Sequence, residues 1–486
     1  MGLLGILVAL GLLIWLAYRG WSVLLLAPAA AVLAAGLAGE PLLAHWTQTF
    51  MGSAARFIMQ FFPIFLLGAL FGKLMEDSGS VTAIANFMTL RLGPQRAVLA
   101  VVLAGALVTY GGVSLFVAFF VLAPMAHALF RTAAIPKRLM PAAIALGTST
   151  FTMSALPGTP AIQNAIPMPF FGTTPFAAPG LGVIASVIML GFGLWWLGRA
   201  EAKARTKGEG YGEDAATGAA AEHAAEDLTV RERATTSGSF DPAEIKHGDR
   251  SVGGPPIGLA VLPLIIVVGV NLLMSLFILP RLDASYLADE AWGGTSLAAV
   301  GGVWAVVTAL FAAIVVLIAV NYRRLPTLRA TMDAGANASA LPVLSVASLV
   351  GFGSVVAALP AFAIVRDWVL GIEGGPLVSL AVATNVLASL TGSASGGLTI
   401  ALEALGDAYM KVAAQQGIDP ALMHRVAVIG AGTLDSLPHN GAVVTLLAVC
   451  GSTHRESYFD IVMVAIVGAI LGLVAVIALG TAFGSF

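Results

Sequence analysis

Long apolar runs follow one another from Leu3 almost to the C-terminus, separated by short polar clusters, and their length favours helices over strands. Leu3 to Ala17, Ser22 to Leu37 and Phe57 to Leu74 predict three helical spans, the first a span rather than a cleaved signal because no basic segment precedes it. Thr82 to Leu92 is mildly amphipathic and suits a membrane interface. Leu181 to Leu197, Ile257 to Leu279, Ala298 to Val320, Leu341 to Ile364 and Ile461 to Ala482 predict further spans.

Four other runs are interrupted at their centres. Ala97 to Phe130 is broken at Thr109-Tyr110-Gly111-Gly112-Val113-Ser114, and Leu377 to Leu405 at Thr391-Gly-Ser393-Ala-Ser395-Gly-Gly397. Leu139 to Phe171 is broken at Ser154-Ala-Leu-Pro-Gly-Thr159-Pro160, and Met423 to Cys450 at Asp435-Ser436-Leu-Pro-His439-Asn440-Gly441. Proline removes a helix hydrogen bond and glycine frees the backbone, so each reads as two half-helices meeting at a polar gap. The gaps repeat: Thr152/Thr433, Leu156/Leu437 and Pro157/Pro438 match at an offset of 281, with Ser154 standing against Asp435, and Thr109/Thr391 match at 282. Inside a membrane, unwound backbone survives only where it is buried or lines a cavity, and paired gaps in two halves point to a transporter's binding site.

Charge orients the elements. Arg19, Lys73, Arg91 and Arg96 mark cytoplasmic ends, which puts both termini outside, and Glu76 and Asp77 read as a solvated loop end beside Lys73. Basic residues flank both ends of 97–130, making it a re-entrant hairpin entered from the cytoplasm; acidic Glu373, Glu403 and Asp407 make 377–405 a hairpin entered from outside. The expected fold is an all-α polytopic membrane protein of two inverted repeats, each with about five membrane-crossing helices plus a re-entrant hairpin and a broken helix, working as an elevator-type transporter. Residues 1–198 form the first repeat (hairpin 97–130, broken helix 139–171) and 256–486 the second (hairpin 377–405, broken helix 423–450). Between them, 199–255 reads as a disordered cytoplasmic linker that places nothing at membrane depth, because Arg199 to Arg250 holds 19 of the chain's 50 formal charges.

Composition agrees: 58% hydrophobic and 10% charged residues with a mean hydropathy of +0.93 belong to a membrane protein. The net charge of -2 and the lack of a basic tract give no reason for a nucleic-acid partner, and the single Cys450 excludes an internal disulfide. No His-Glu-x-x-His or Gly-x-Ser-x-Gly phrase occurs, so an intramembrane enzyme is a remote alternative, as is a channel, and no cofactor or metal is expected.

Gly68-Ala-Leu-Phe-Gly-Lys-Leu-Met-Glu-Asp-Ser-Gly79, Ile84-Ala-Asn86, Thr391-Gly-Ser-Ala-Ser395 and Ile429-Gly-Ala-Gly-Thr433 resemble the gluconate permease family of the ion transporter superfamily. The resemblance implies proton-coupled uptake of small hydroxy-carboxylates across the bacterial inner membrane, usually by a homodimer. The two broken helices depart from the His-and-Pro-rich and Ser-His-Asn-Asp-Ser-Gly-like phrases of the sugar-acid members. In this the chain resembles more closely the branch associated with 3-hydroxybutyrate, the expected substrate, with a gluconate or sugar-acid permease as the alternative.

An anion at the midplane needs donors. Arg425, near a helix start, is the lone Arg or Lys in the four interrupted runs, so no fixed cation is expected at the site. The candidates are the half-helix N-termini, the backbone and side chains at Tyr110, Gly111 and Gly112, and the polar groups of Thr109, Ser114, Thr152, Ser154, Thr159, Thr391, Ser393, Ser395, Thr433, Ser436 and Asn440. Each hydroxyl could equally bond its own helix backbone. Asp435 and His439 are the ionisable pair at a break, and they either carry the coupling proton or serve as caps; His127 and Glu403, on hairpin limbs, are weaker proton candidates. Sodium held by hydroxyls and carbonyls at the tips is the alternative coupling ion.

Overall fold

Helices and turns account for every element of the computed structural model, which describes residues 2–212, 231, 235, 238–251 and 253–486. The first half runs α1 (Gly2–Tyr18), α2 (Val23–Ala38), α3 (Met51–Asp77), α4 (Ser80–Leu92), the hairpin α5 (Ala97–Tyr110) and α6 (Leu115–Thr132), the broken α7 (Met140–Thr148), α8 (Phe151–Ser154), α9 (Ile162–Ala165) and α10 (Pro167–Phe171), and α11 (Pro179–Thr206). The second half follows the same order: α12 (Ile257–Leu273), α13 (Leu297–Asn321), α14 (Leu328–Ala358), α15 (Phe362–Leu370), the hairpin α16 (Pro376–Thr391) and α17 (Ala394–Gln416), the broken α18 (Pro420–Thr433) and α19 (Gly441–Val449), and finally α20 (His454–Ile461) leading into α21 (Gly468–Phe483).

Among the described residues seven helices are long and apolar enough to cross a membrane, or eight if the pair bent by 103° at Gly93 counts as one span. Their surfaces expose Met59, Val187, Ile265 and Val474, apolar area that lipid would cover. The expected span Leu341 to Ile364 differs: α14 starts at Leu328 and stops at Ala358, because Pro360 cannot continue the hydrogen-bond ladder and α15 restarts beyond it.

Packing trades partners between the halves. α3 lies along α14; α2 also packs on α14 as α13 does on α3; α6 meets α19 as α17 meets α10. Within each half the first hairpin limb lies against the first part of the broken helix, α5 on α7 and α16 on α18. Glycine permits both contacts. A methyl at Gly147 would strike the Val102 carbonyl oxygen, and one at Gly430 would strike Thr384 Oγ1, so these helices touch backbone to backbone.

The stretch 199–255 departs from the expected disordered linker wherever it is described. α11 continues to Thr206, and residues 238–251 form a strap packed into the body of the protein. Phe240 is fully buried, Asp241 N–H donates to the Ala338 carbonyl (2.8 Å), and the Asp241 carboxylate caps the 3-10 turn Pro242–Lys246 while pairing with Arg231 at 2.7 Å. High average charge hid one aromatic and one buried acid. The remainder of the linker, 213–230 included, lies outside the described residues.

Candidate functional site

The first hairpin tip forms because Gly112, at φ +100, turns the chain in a conformation that side chains resist, and Ser114 then starts α6 by accepting from Phe116 N–H at 3.4 Å. Gly111 is fixed by crowding: a methyl there would overlap the Leu264 side chain. Thr109 joins the tip to the broken helix, with Oγ1 2.8 Å from the Gly105 carbonyl and 3.2 Å from Thr152 Oγ1. Tyr110 donates to the Pro157 carbonyl at 2.9 Å, so the first tip and the first break are tied at two points.

A narrow cavity opens between them, lined by Thr109, Gly112 and Ser114 of the tip, Gln163 of α9, and Gly238 and Ser239 of the strap. Gln163 is absent from the predicted set. It is 4% exposed, and its Oε1 has no hydrogen-bond partner among the described residues. The strap residues correct the expectation that 199–255 contributes nothing to the site.

The second tip and break share a carboxylate. Asp435 Oδ1 accepts from Ala394 N–H at the start of α17 and from Asn440 Nδ2, both at 2.7 Å. Asn440 Nδ2 also donates to the Gly392 carbonyl (2.8 Å), while Asn440 Oδ1 caps α19 through Ala442 N–H (2.7 Å). Ser393 caps α17 through Gly396 N–H at 3.0 Å, with Ser395 Oγ 3.2 Å away. His439 Nε2 donates to the Ser389 carbonyl at 3.1 Å, and its ring lies against Gly392. Ser436 contributes its carbonyl, which accepts from Tyr458 OH at 3.1 Å.

Other predicted hydroxyls serve their own helices. Thr152 donates to the Gly147 and Thr148 carbonyls, Ser154 to Thr150 (3.1 Å), Thr391 to Leu387 (2.8 Å) and Thr433 to Ile429 (2.7 Å), while Thr159 Oγ1 accepts from Ala161 N–H. The protons of Thr152, Ser154, Thr391 and Thr433 are committed, so these four reinforce the ends of half-helices rather than present free donors, whereas Thr159 only accepts. Glu403 accepts from Ser354 at 3.0 Å and His127 pairs with Tyr211, which places both in local polar contacts.

Two charged features correct the sequence reading. Arg425 is fully buried and is a fixed cation at the first break: its guanidinium donates to the carbonyls of Ala177 (2.7 and 3.1 Å) and Ser154 (3.2 Å) and to Asn164 Oδ1 (3.4 Å). Gly432 of the same helix sits against the Ser154 side chain, so the two broken helices cross there. Lys73, Glu76 and Asp77 are also buried rather than solvated, because the strap covers them. Lys73 reaches Asp77 at 2.9 Å and the Ile245 carbonyl at 3.0 Å, Asp77 accepts from Thr331 (2.7 Å) and, through its backbone carbonyl, from Ser251 N–H (2.8 Å), and Glu76 pairs with Arg250.

A body of apolar spans that gathers polar groups at breaks in paired hairpins and broken helices has the construction of a multi-pass membrane transporter. Residues 1–170 match the model of the GntP family of permeases. The chain is 40% identical over 488 residues, covering 99% of both sequences, to the uncharacterized transporter YxjC of Bacillus subtilis (strain 168). It is 37% identical over 106 residues, 21% of this chain and 23% of the other, to the high-affinity gluconate transporter of Escherichia coli (strain K12). The chain belongs to the GntP permease family and is a transporter of a small molecule, not an enzyme.

Proposed function

We propose that the protein is a proton symporter importing a short hydroxy-carboxylate, best represented by 3-hydroxybutyrate, across the bacterial inner membrane. Its halves are inverted repeats, and the hairpins and broken helices move as a unit past the scaffold formed around α3 and α14. The observation that carries this reading is the Asp435 carboxylate, which holds the second hairpin tip through Ala394 and the second break through Asn440. Both bonds fall on Oδ1, so Oδ2 is the oxygen that can take a proton without breaking them. Hydrogen bonds to an ionised acceptor are about twice as strong as neutral ones, so protonation loosens the tip from the break and release tightens it. A proton on His439, whose ring rests on the same second tip, adds positive charge to the half that holds Asp435. Proton and anion then favour each other's binding.

Uptake of radiolabelled short hydroxy acids and of gluconate into proteoliposomes, under a proton gradient and separately under a sodium gradient, tests the reading. Accumulation of 3-hydroxybutyrate driven by the proton gradient alone is the expected result. Accumulation that follows sodium, or gluconate preferred over the short acids, overturns it.

A further inference from the structure

The two hairpin tips are built alike but are not filled alike. At the second tip, the N-terminal end of α17 receives the protein's own carboxylate, Asp435, at Ala394 N–H. The first-half residue at the same repeat offset is Ser154, which is uncharged and turns its hydroxyl to the Thr150 carbonyl. The N-terminal end of α6, an 18-residue helix, instead faces the cavity through Ser114 and Leu115. The first N–H groups of a helix lack intrahelical acceptors and carry partial positive charge, so this end of the cavity suits an anion.

A second observation names what else the ligand must carry. Gln163 lines the same cavity, is 4% exposed, and leaves Oε1 with no hydrogen-bond partner among the described residues. A buried acceptor without a donor is costly, so a ligand that brings a donor to Gln163 supplies a hydrogen bond the protein leaves unmade. The remaining lining is mostly apolar: Ile64, Phe65, Ile162 and Leu310 suit a short hydrocarbon, while the hydroxyls beside them are Ser239 and Thr109, whose proton already goes to the Gly105 carbonyl. We infer that the N-terminal end of α6 and Gln163 form the substrate subsite, the first taking the carboxylate and the second accepting a hydrogen bond from a single hydroxyl of a short-chain hydroxy-monocarboxylate.

This assignment rests on the transport reading above and divides the work between the repeats. The first half binds the anion, and the second half, whose tip already holds Asp435, handles the proton. It also places Gln163 as the residue that tells a hydroxy acid from its deoxy analogue. A site built to bond a substrate hydroxyl rejects the analogue lacking it far more strongly than an apolar pocket distinguishes a methylene.

The test is competition of 3-hydroxybutyrate and butyrate for uptake by the full-length protein in proteoliposomes, with wild type, Gln163→Ala and Gln163→Glu. Wild type should prefer the hydroxy acid, Gln163→Ala should lower that preference about ten-fold or more, and Gln163→Glu should abolish uptake of both acids at neutral pH by adding a negative charge to the cavity that receives the substrate's carboxylate. Gln163→Glu keeps the side-chain volume, so it serves where the alanine variant fails to elute as a folded species on size exclusion. Wild-type preference retained in Gln163→Ala, or normal uptake by Gln163→Glu, overturns the subsite and leaves the transport reading standing. A wild type that takes up neither acid under either gradient overturns both.

Discussion

Arg425 shows how this protein keeps a charge inside an apolar body: its bonds go to the Ser154 carbonyl at the first break, the Ala177 carbonyl in the loop before α11, and the Asn164 side-chain oxygen. The planar fork of the guanidinium reaches Ala177 and Ser154 at once, which a lysine ammonium cannot do from the same position. Arg425→Met should therefore leave buried carbonyls unpaired and cost about 1 to 3 kcal/mol for each, and Arg425→Lys should rescue little of it. Thermal unfolding of the detergent-solubilised variants reads this directly, and an unchanged Tm for Arg425→Met contradicts the role. Lys73 is the second such residue. Removing it leaves Asp77 under the strap without its cation, so Lys73→Met should destabilise by about 3 to 5 kcal/mol, with the loss seen in the same assay.

At the scale of elements, two predictions follow from close packing. Gly147 lies on α7 and Gly430 on α18, and each lets the neighbouring hairpin limb come close. Alanine at either should force the limb outward and cost about 1 to 3 kcal/mol, whereas Gly191, with open space around it, should accept alanine without measurable loss. The strap gives the other. Deleting 213–230 should leave uptake intact, while Phe240→Ala, which empties a fully buried position, should cost about 3 to 5 kcal/mol and loosen the wall that Gly238 and Ser239 give the cavity. Normal stability and uptake in Phe240→Ala would show the strap to be dispensable after all.

The same contrast explains which parts were legible beforehand. The tips and breaks stood out because glycine, proline and hydroxyl residues interrupt runs that are otherwise apolar, a signal carried by local chemistry. Lys73 and Arg425 did not, because a charge near the end of an apolar run looks the same whether it faces water or is covered by a distant segment. The strap was masked by averaging: a lone Phe240 among acids and bases barely alters composition, yet one buried aromatic anchors a turn. Gln163 follows Pro160 in a four-residue helix, and only the cavity around it sets it apart from any polar loop residue.

For the whole molecule, we propose two repeats with opposed orientations, one binding the anion and the other holding the proton. Orientation is tested by cysteine accessibility in intact cells on a Cys450→Ala background: a cysteine at Ser237 should react only after the membrane is permeabilised, and one at Ala284 should react from outside. The reverse pattern would invert every element. The central claim, that Asp435 couples protons to uptake, is tested most directly by 3-hydroxybutyrate accumulation in proteoliposomes with an acid-outside gradient, comparing wild type with Asp435→Asn. Wild type should concentrate the substrate, and the variant, which keeps the hydrogen bonds but has no proton to exchange, should carry it only to equilibrium. Accumulation by Asp435→Asn with wild-type dependence on external pH would contradict the account.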